Sequence, residues 1–125
     1  MASQGLASER VFKTAWFSKA ARKAQISDDE LCTAIREVLL GQAVNLGGGV
    51  FKKRLSKNRT RSIILSKGGR RWIYEYLFAK KDRDNISDDE LAGFRTLAKV
   101  YERVTEQQLE NLIRKSDWVE ICHGS

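Results

Sequence analysis

Apolar and polar positions follow two rhythms along this chain, and the change from one to the other divides it into blocks. Leu31, Ala34, Ile35, Val38 and Leu39 recur at three- and four-residue spacing, which predicts a helix from Asp28 to about Gly41. Ser27 precedes it with Glu30 three residues on, a capping box, and Ile26 and Leu31 flank the cap as a hydrophobic staple. Asp28 and Asp29 complement the positive helix end. The same letters, ISDDEL, recur at Ile86 to Leu91 and open a second helix, Asp88 to Arg103, with Leu91, Phe94, Leu97, Ala98 and Tyr101 on one face. Thr105 and Gln108 repeat the box before a third helix, Glu106 to about Lys115. The sequences around the three caps differ, so this is shared local chemistry and not internal duplication. Val11 to Thr14 predicts a short strand, Trp16 to Ala24 a short helix, and Trp118 to Ile121 a terminal strand.

Between the helical blocks the period drops to two. Val50–Ser56, Arg59–Ser66 and Arg70–Ala79 read as three strands, with Lys57-Asn58 and Gly68-Gly69 as two-residue turns. The order of elements predicts an α+β fold. A short N-terminal strand and a three-strand meander form an antiparallel sheet, with two N-terminal helices packed on it and one or two C-terminal helices. Residues 1–10, MASQGLASER, read as a flexible lead-in without a secretory signal, and residues 11–122 as one domain.

Composition agrees with a folded globule: 42% of the 125 residues are hydrophobic, and no apolar run is long enough to span a membrane. A cytoplasmic protein is therefore expected. Cys32 and Cys122 lie far apart in sequence without metal-ligand spacing and read as reduced packing residues, so neither a metal nor a cofactor is expected. Charge changes the picture more. Gly47 to Arg83 carries twelve Lys/Arg against Glu75 and Asp82, a net +10 in a chain whose total is +7. Positive charge concentrated on strands points to a polyanionic partner.

Two-residue turns would set the register. Arg54 then faces Arg61, Lys52 faces Ile63, Arg61 also faces Tyr76, Ile63 faces Tyr74 and Leu65 faces Trp72. One face would carry Lys52, Arg54, Arg61, Trp72, Tyr74, Tyr76 and Phe78; the other, Phe51, Leu55, Ile64, Ile73 and Leu77, would lie under helices. Lys53, Ser62 and Glu75 would align across that second face. Opposed arginines are unfavourable unless an anion lies between them, and guanidinium forks match phosphate. Neighbouring tyrosines would stack on unpaired bases. Trp72 and Phe78 read rather as residues packed beneath the C-terminal helices. Arg95, Lys99 and Arg103, four residues apart, read as a solvated helix face or a nucleic-acid contact.

The run VFKKRLSKNRTRSIILSKGGRRWIYEYLFAKKDRDNISDDELAGFR resembles the RelE-type toxins of bacterial toxin–antitoxin pairs, over roughly residues 11 to 121 and most specifically from Gly49 to Lys99. The resemblance implies a RelE-like domain that enters the ribosomal A site, contacts ribosomal RNA and cuts messenger RNA. It also implies a cognate antitoxin protein as partner and no membrane. The family's basic pair on the first meander strand falls on Lys52 and Arg54, and its arginine on the next strand on Arg61. Its basic position near the end of the third strand falls on Lys80 or Lys81, with Arg83 nearby. Many members carry an active-site tyrosine or histidine after that point. None follows closely on Lys81 here.

RNA cleavage by its own 2′-hydroxyl requires an in-line phosphate, neutralised oxygens and a proton for the leaving oxygen. Lys52, Arg54, Arg61 and Lys80 are the catalytic candidates, with the arginines on phosphate. Repulsion within a basic cluster favours proton release from lysine, which makes Lys52 or Lys80 the candidate proton carrier. Lys53, Arg59, Tyr74, Tyr76, Lys81 and Arg83 are the RNA-binding candidates. His123 lies at the tail, and Gly47-Gly48-Gly49 lacks the remaining residues of a nucleotide-binding loop. Two other readings stand beside the ribonuclease: a non-catalytic gyrase-binding toxin of the ParE type, and a basic nucleic-acid-binding domain without toxin activity.

Overall fold

Side-chain caps set where the helices begin in the computed structural model, which describes residues 9–123. In chain order the elements are β1 (Arg10–Thr14), α1 (Ala15–Lys23), α2 (Asp28–Leu39), β2 (Val44–Gly47) and β3 (Val50–Leu55). They continue with β4 (Thr60–Leu65), β5 (Arg71–Ala79), α3 (Asp88–Glu102), α4 (Glu106–Arg114) and β6 (Trp118–Ile121). Thr14, Ser27, Ser87 and Thr105 each accept a hydrogen bond from the backbone N–H three residues on. At Ser87 and Thr105 the box is reciprocal. At Ser27 it is only half made, because the Glu30 carboxylate turns away to accept from Ser56 N–H in the β3–β4 turn. That side chain thus joins α2 to the sheet.

The sheet has six strands in the order β2-β3-β4-β5-β1-β6. It is mostly antiparallel, but β1 runs parallel to β5 and antiparallel to β6. The expectation of a wholly antiparallel four-strand sheet is corrected on both counts. β2, VNLG, is too short to show alternation, and a parallel neighbour leaves no turn in the sequence to reveal it. α1 and α2 cover one face, where Phe17, Leu31 and Ile35 pack against Leu55, Ile64, Trp72, Tyr74 and Leu77. On the other, Ala98 of α3 packs with Val50, Ile63, Leu65 and Phe78, and Leu109 of α4 with Phe12, Ile73 and Trp118.

The first hairpin has the expected register, Arg54 opposite Arg61 and Lys52 opposite Ile63. The second does not. Residues 66–70 form a longer loop in place of a two-residue Gly-Gly turn, so Leu65 meets Ile73, Ile63 meets Tyr76 and Arg61 meets Phe78. The register shifts between Ile63 and Ile64, where Glu75 is the extra residue on β5. A bulge of this kind breaks the alternation of faces. Tyr76 and Phe78 consequently lie with α3, whereas Trp72 and Tyr74 turn to the α1–α2 side. Tyr74 is fully buried there and donates from Oη to Leu31 O at 2.7 Å. Ile73 goes to the α4 side, and Glu75 does not align with Lys53 and Ser62; it accepts from Tyr101 Oη at 2.7 Å.

Cys32 in α2 and Cys122 just after β6 form a disulfide, with Cα atoms 5.4 Å apart. The reading of both as reduced thiols is overturned. Ninety residues separate them in sequence, and only the placement of β6 beside β1 brings them together.

Candidate nucleic-acid interface

Three strands build the basic face. Two cross-strand rows lie on the α3 side of the sheet: Lys52–Ile63–Tyr76 and Arg54–Arg61–Phe78. Arg54 is exposed and makes no side-chain hydrogen bond or ion pair among the described residues. Arg61 is only 8% exposed, yet its partners are backbone oxygens: Nη1 donates to Asn58 O at 3.1 Å and to Thr60 O at 3.3 Å. No carboxylate among the described residues pairs with either guanidinium. Two like charges thus lie opposite one another, one largely desolvated, with donors left over for an anion.

The β3–β4 turn fixes Arg61 in place. Ser56, Lys57 and Asn58 have φ of 52°, 53° and 74°, and this left-handed run brings Asn58 O back onto the guanidinium. Arg59 is exposed on the same turn, and its backbone O accepts from Lys80 N–H at 2.9 Å. Lys80 and Lys81, both exposed, therefore begin beside that turn. Lys52 Nζ donates to Asn85 Oδ1 at 3.3 Å, which ties the row to the segment before α3.

Arg83 is held more firmly. It makes a two-pronged contact with Glu90, donates from Nε to Asn85 O at 3.0 Å, and lies with its guanidinium carbon 5.6 Å from the Phe78 ring centroid. Hydrogen bonding from Arg83 and from Ser87 N–H holds the Glu90 carboxyl at about 2, well below the ordinary carboxylate value. Arg83 Nη1 also reaches Tyr76 Oη at 3.4 Å. Its charge is balanced inside the protein, so it positions Tyr76 more than it offers a free cation.

A family model for the RelE toxin of the RelE / RelB toxin-antitoxin system matches residues 9–121. The chain belongs to the RelE toxin family. No individual curated protein matches it. In this RelE-family protein Lys52, Arg54, Arg61 and Tyr76 share one face, and Arg59, Lys80 and Lys81 project around the adjacent turn. Two predicted RNA-binding residues are elsewhere. Tyr74 is in the core beneath α2, and Lys53 points to the α2 side, where Nζ meets Glu37 Oε1 at 2.8 Å and Gln42 O at 2.9 Å.

Sequence reading missed Trp16, which stacks on Tyr76 with centroids 5.2 Å apart and planes at 24°. A signal was present. Trp16 and Phe17 are adjacent on a helix, about 100° apart, so a single buried stripe takes only one of them. Phe17 is the buried one. Arg95, read as part of a solvated or nucleic-acid-binding face, is exposed as the first of those readings expects, but it has partners that sequence reading did not foresee. It donates to Leu46 O and Gly47 O and packs so closely on the β2–β3 turn that a Cβ at Gly48 would lie 2.7 Å from its Cγ.

Proposed function

We propose that this RelE-family protein stops translation by cutting messenger RNA in the ribosomal A site, and that a cognate antitoxin neutralises it. One observation carries the reading: Arg54 faces Arg61, and among the described residues no carboxylate pairs with either guanidinium. A phosphodiester lying across β3 and β4 would receive a guanidinium on each non-bridging oxygen. The substrate's 2′-hydroxyl gives up its proton, and its oxygen bonds to phosphorus as the bond to the 5′-oxygen breaks. That leaving oxygen takes up a proton, leaving a 2′,3′-cyclic phosphate and a 5′-hydroxyl. The arginines stabilise the charge that develops on the phosphorane oxygens.

Lys52 is assigned to proton transfer, since it lies two residues from Arg54 on the same face of β3. Lys80 and Lys81 support the RNA or its charge from the neighbouring turn. Because no imidazole or carboxylate joins this set, cleavage of free RNA is expected to be slow, with the ribosome supplying the in-line geometry. Acting on ribosomes implies a cytoplasmic site of action, where the Cys32–Cys122 bond would meet reducing conditions; among the described residues no helix is long and apolar enough to cross a membrane.

Induction of the wild type and of Arg61→Gln in growing cells tests this. Early arrest of amino-acid incorporation, with messenger RNA cut inside codons, is expected for the wild type alone. Replication arrest with intact messenger RNA would instead favour a non-catalytic ParE-like toxin. Unimpaired growth would leave a nucleic-acid-binding domain without toxin activity.

A further inference from the structure

We propose that the outer face of Trp16 is the stacking site for one nucleobase of the bound RNA. The inference rests on the RNA-cleavage reading and names a contact within it. Trp16 is 52% exposed although it carries the largest apolar ring, while its neighbour Phe17 is completely buried. One face of the indole covers Tyr76, and Tyr76 in turn touches Phe78 and Phe94, each with centroids 5.9 Å away. Trp16 is therefore the outermost ring of an anchored cluster, oriented before anything binds. Tyr76, the stacking residue expected from sequence, already has a ring on it. Whatever stacks at this corner must do so on Trp16.

The surroundings select the ligand. Tyr76 shares a row with Lys52, and the Arg54–Arg61–Phe78 row lies one two-residue step along the strands, roughly 7 Å away. An open indole near a pair of opposed arginines is the pairing of ring and cation by which single-stranded RNA is held. An apolar side chain of a protein partner would gain from the ring but would leave those cations unanswered. A base attached to the phosphate uses both.

The test uses full-length protein on stalled ribosomes whose messenger RNA carries an abasic nucleotide at each A-site position in turn. With the wild type, one position is expected to lower the single-turnover cleavage rate by about ten-fold, the size of one lost stack. Trp16→Leu is expected to cut intact messenger RNA about ten-fold more slowly and to be indifferent to that abasic position, with Trp16→Phe in between. A merely structural role would slow intact and abasic substrates equally, so an unchanged ratio in Trp16→Leu overturns the proposal. Normal cleavage by Trp16→Leu with lost antitoxin binding would also overturn it and give the ring to a protein partner. Both outcomes leave the ribonuclease reading standing. Absence of cleavage by the wild type would remove the two together.

Discussion

Arg54 and Arg61 lie directly opposite one another on β3 and β4, and neither guanidinium has a carboxylate partner among the described residues. Like charges so placed oppose strand pairing. Arg54→Gln is therefore expected to raise stability by about 0.2–1 kcal/mol, while messenger RNA cleavage falls by about 100-fold or more. Inorganic phosphate should raise the urea midpoint of the wild type and leave that of Arg54→Gln nearly unmoved, because an anion that binds only the folded pair stabilises by mass action. A variant less stable than the wild type in phosphate-free buffer would show that the pair is not in opposition.

Arg83 and Glu90 give a pH dependence. The Glu90 carboxyl sits near 2 in the folded protein against an ordinary 4.5, so its contact stabilises the fold above about 4.5 and is lost as pH falls toward 2. Glu90→Gln should be less stable than the wild type at pH 7, and the gap should close between those two pH values. Denaturation midpoints at pH 7, 4 and 2.5 measure it; a constant gap would contradict the assignment.

Glu75 works in the opposite sense. Burial pushes its carboxyl above the ordinary value, even though the hydrogen bond from Tyr101 pulls it down. The unfolded chain thus releases this proton at lower pH than the folded one, and the group costs stability as pH rises past the unfolded value. Glu75→Gln keeps an acceptor for Tyr101 and removes that cost. Relative to the wild type it should gain stability between pH 4 and pH 7, as followed by thermal melts; a loss over that range would show that the ionised form is favoured.

The Cys32–Cys122 bond closes a 90-residue span. Replacing both cysteines by serine should lower stability by about 2–4 kcal/mol, chiefly by freeing the unfolded chain. Guanidinium titration of the oxidised wild type, the reduced wild type and the double variant gives the comparison. The last two should coincide to within the effect of the serine hydroxyls, well below the first.

Much of the architecture was legible because it is written locally. The caps at Ser87 and Thr105 lie where their side chains predict, and the period-two runs became β3, β4 and β5. The Arg54–Arg61 pairing was legible because the β3–β4 connection leaves the expected register intact. The second hairpin was not, because Gly68-Gly69 does not reveal that residues 66–70 are all loop, nor that Glu75 bulges. That one residue decides which tyrosine meets solvent: Tyr76 stays on the basic face and Tyr74 goes into the core. The remaining misses, β2, the parallel β1–β5 contact and the disulfide, depend on which distant segments become neighbours, and no local pattern records that.

The position of β1 has a bearing on how the chain reaches this shape. Of the six strands described, the first to leave the ribosome is the fifth in the sheet, and both its neighbours, β5 and β6, are translated much later. Val11 and Phe12, completely buried in the finished protein, have no sheet to join until residue 79 has emerged, and β1 stays half-flanked until residue 121. Such delayed closure makes for slow maturation and leaves a sticky nascent intermediate. An emerging polypeptide of this topology cannot be native, and hence cannot be harmful, until almost all of its fold has been synthesised.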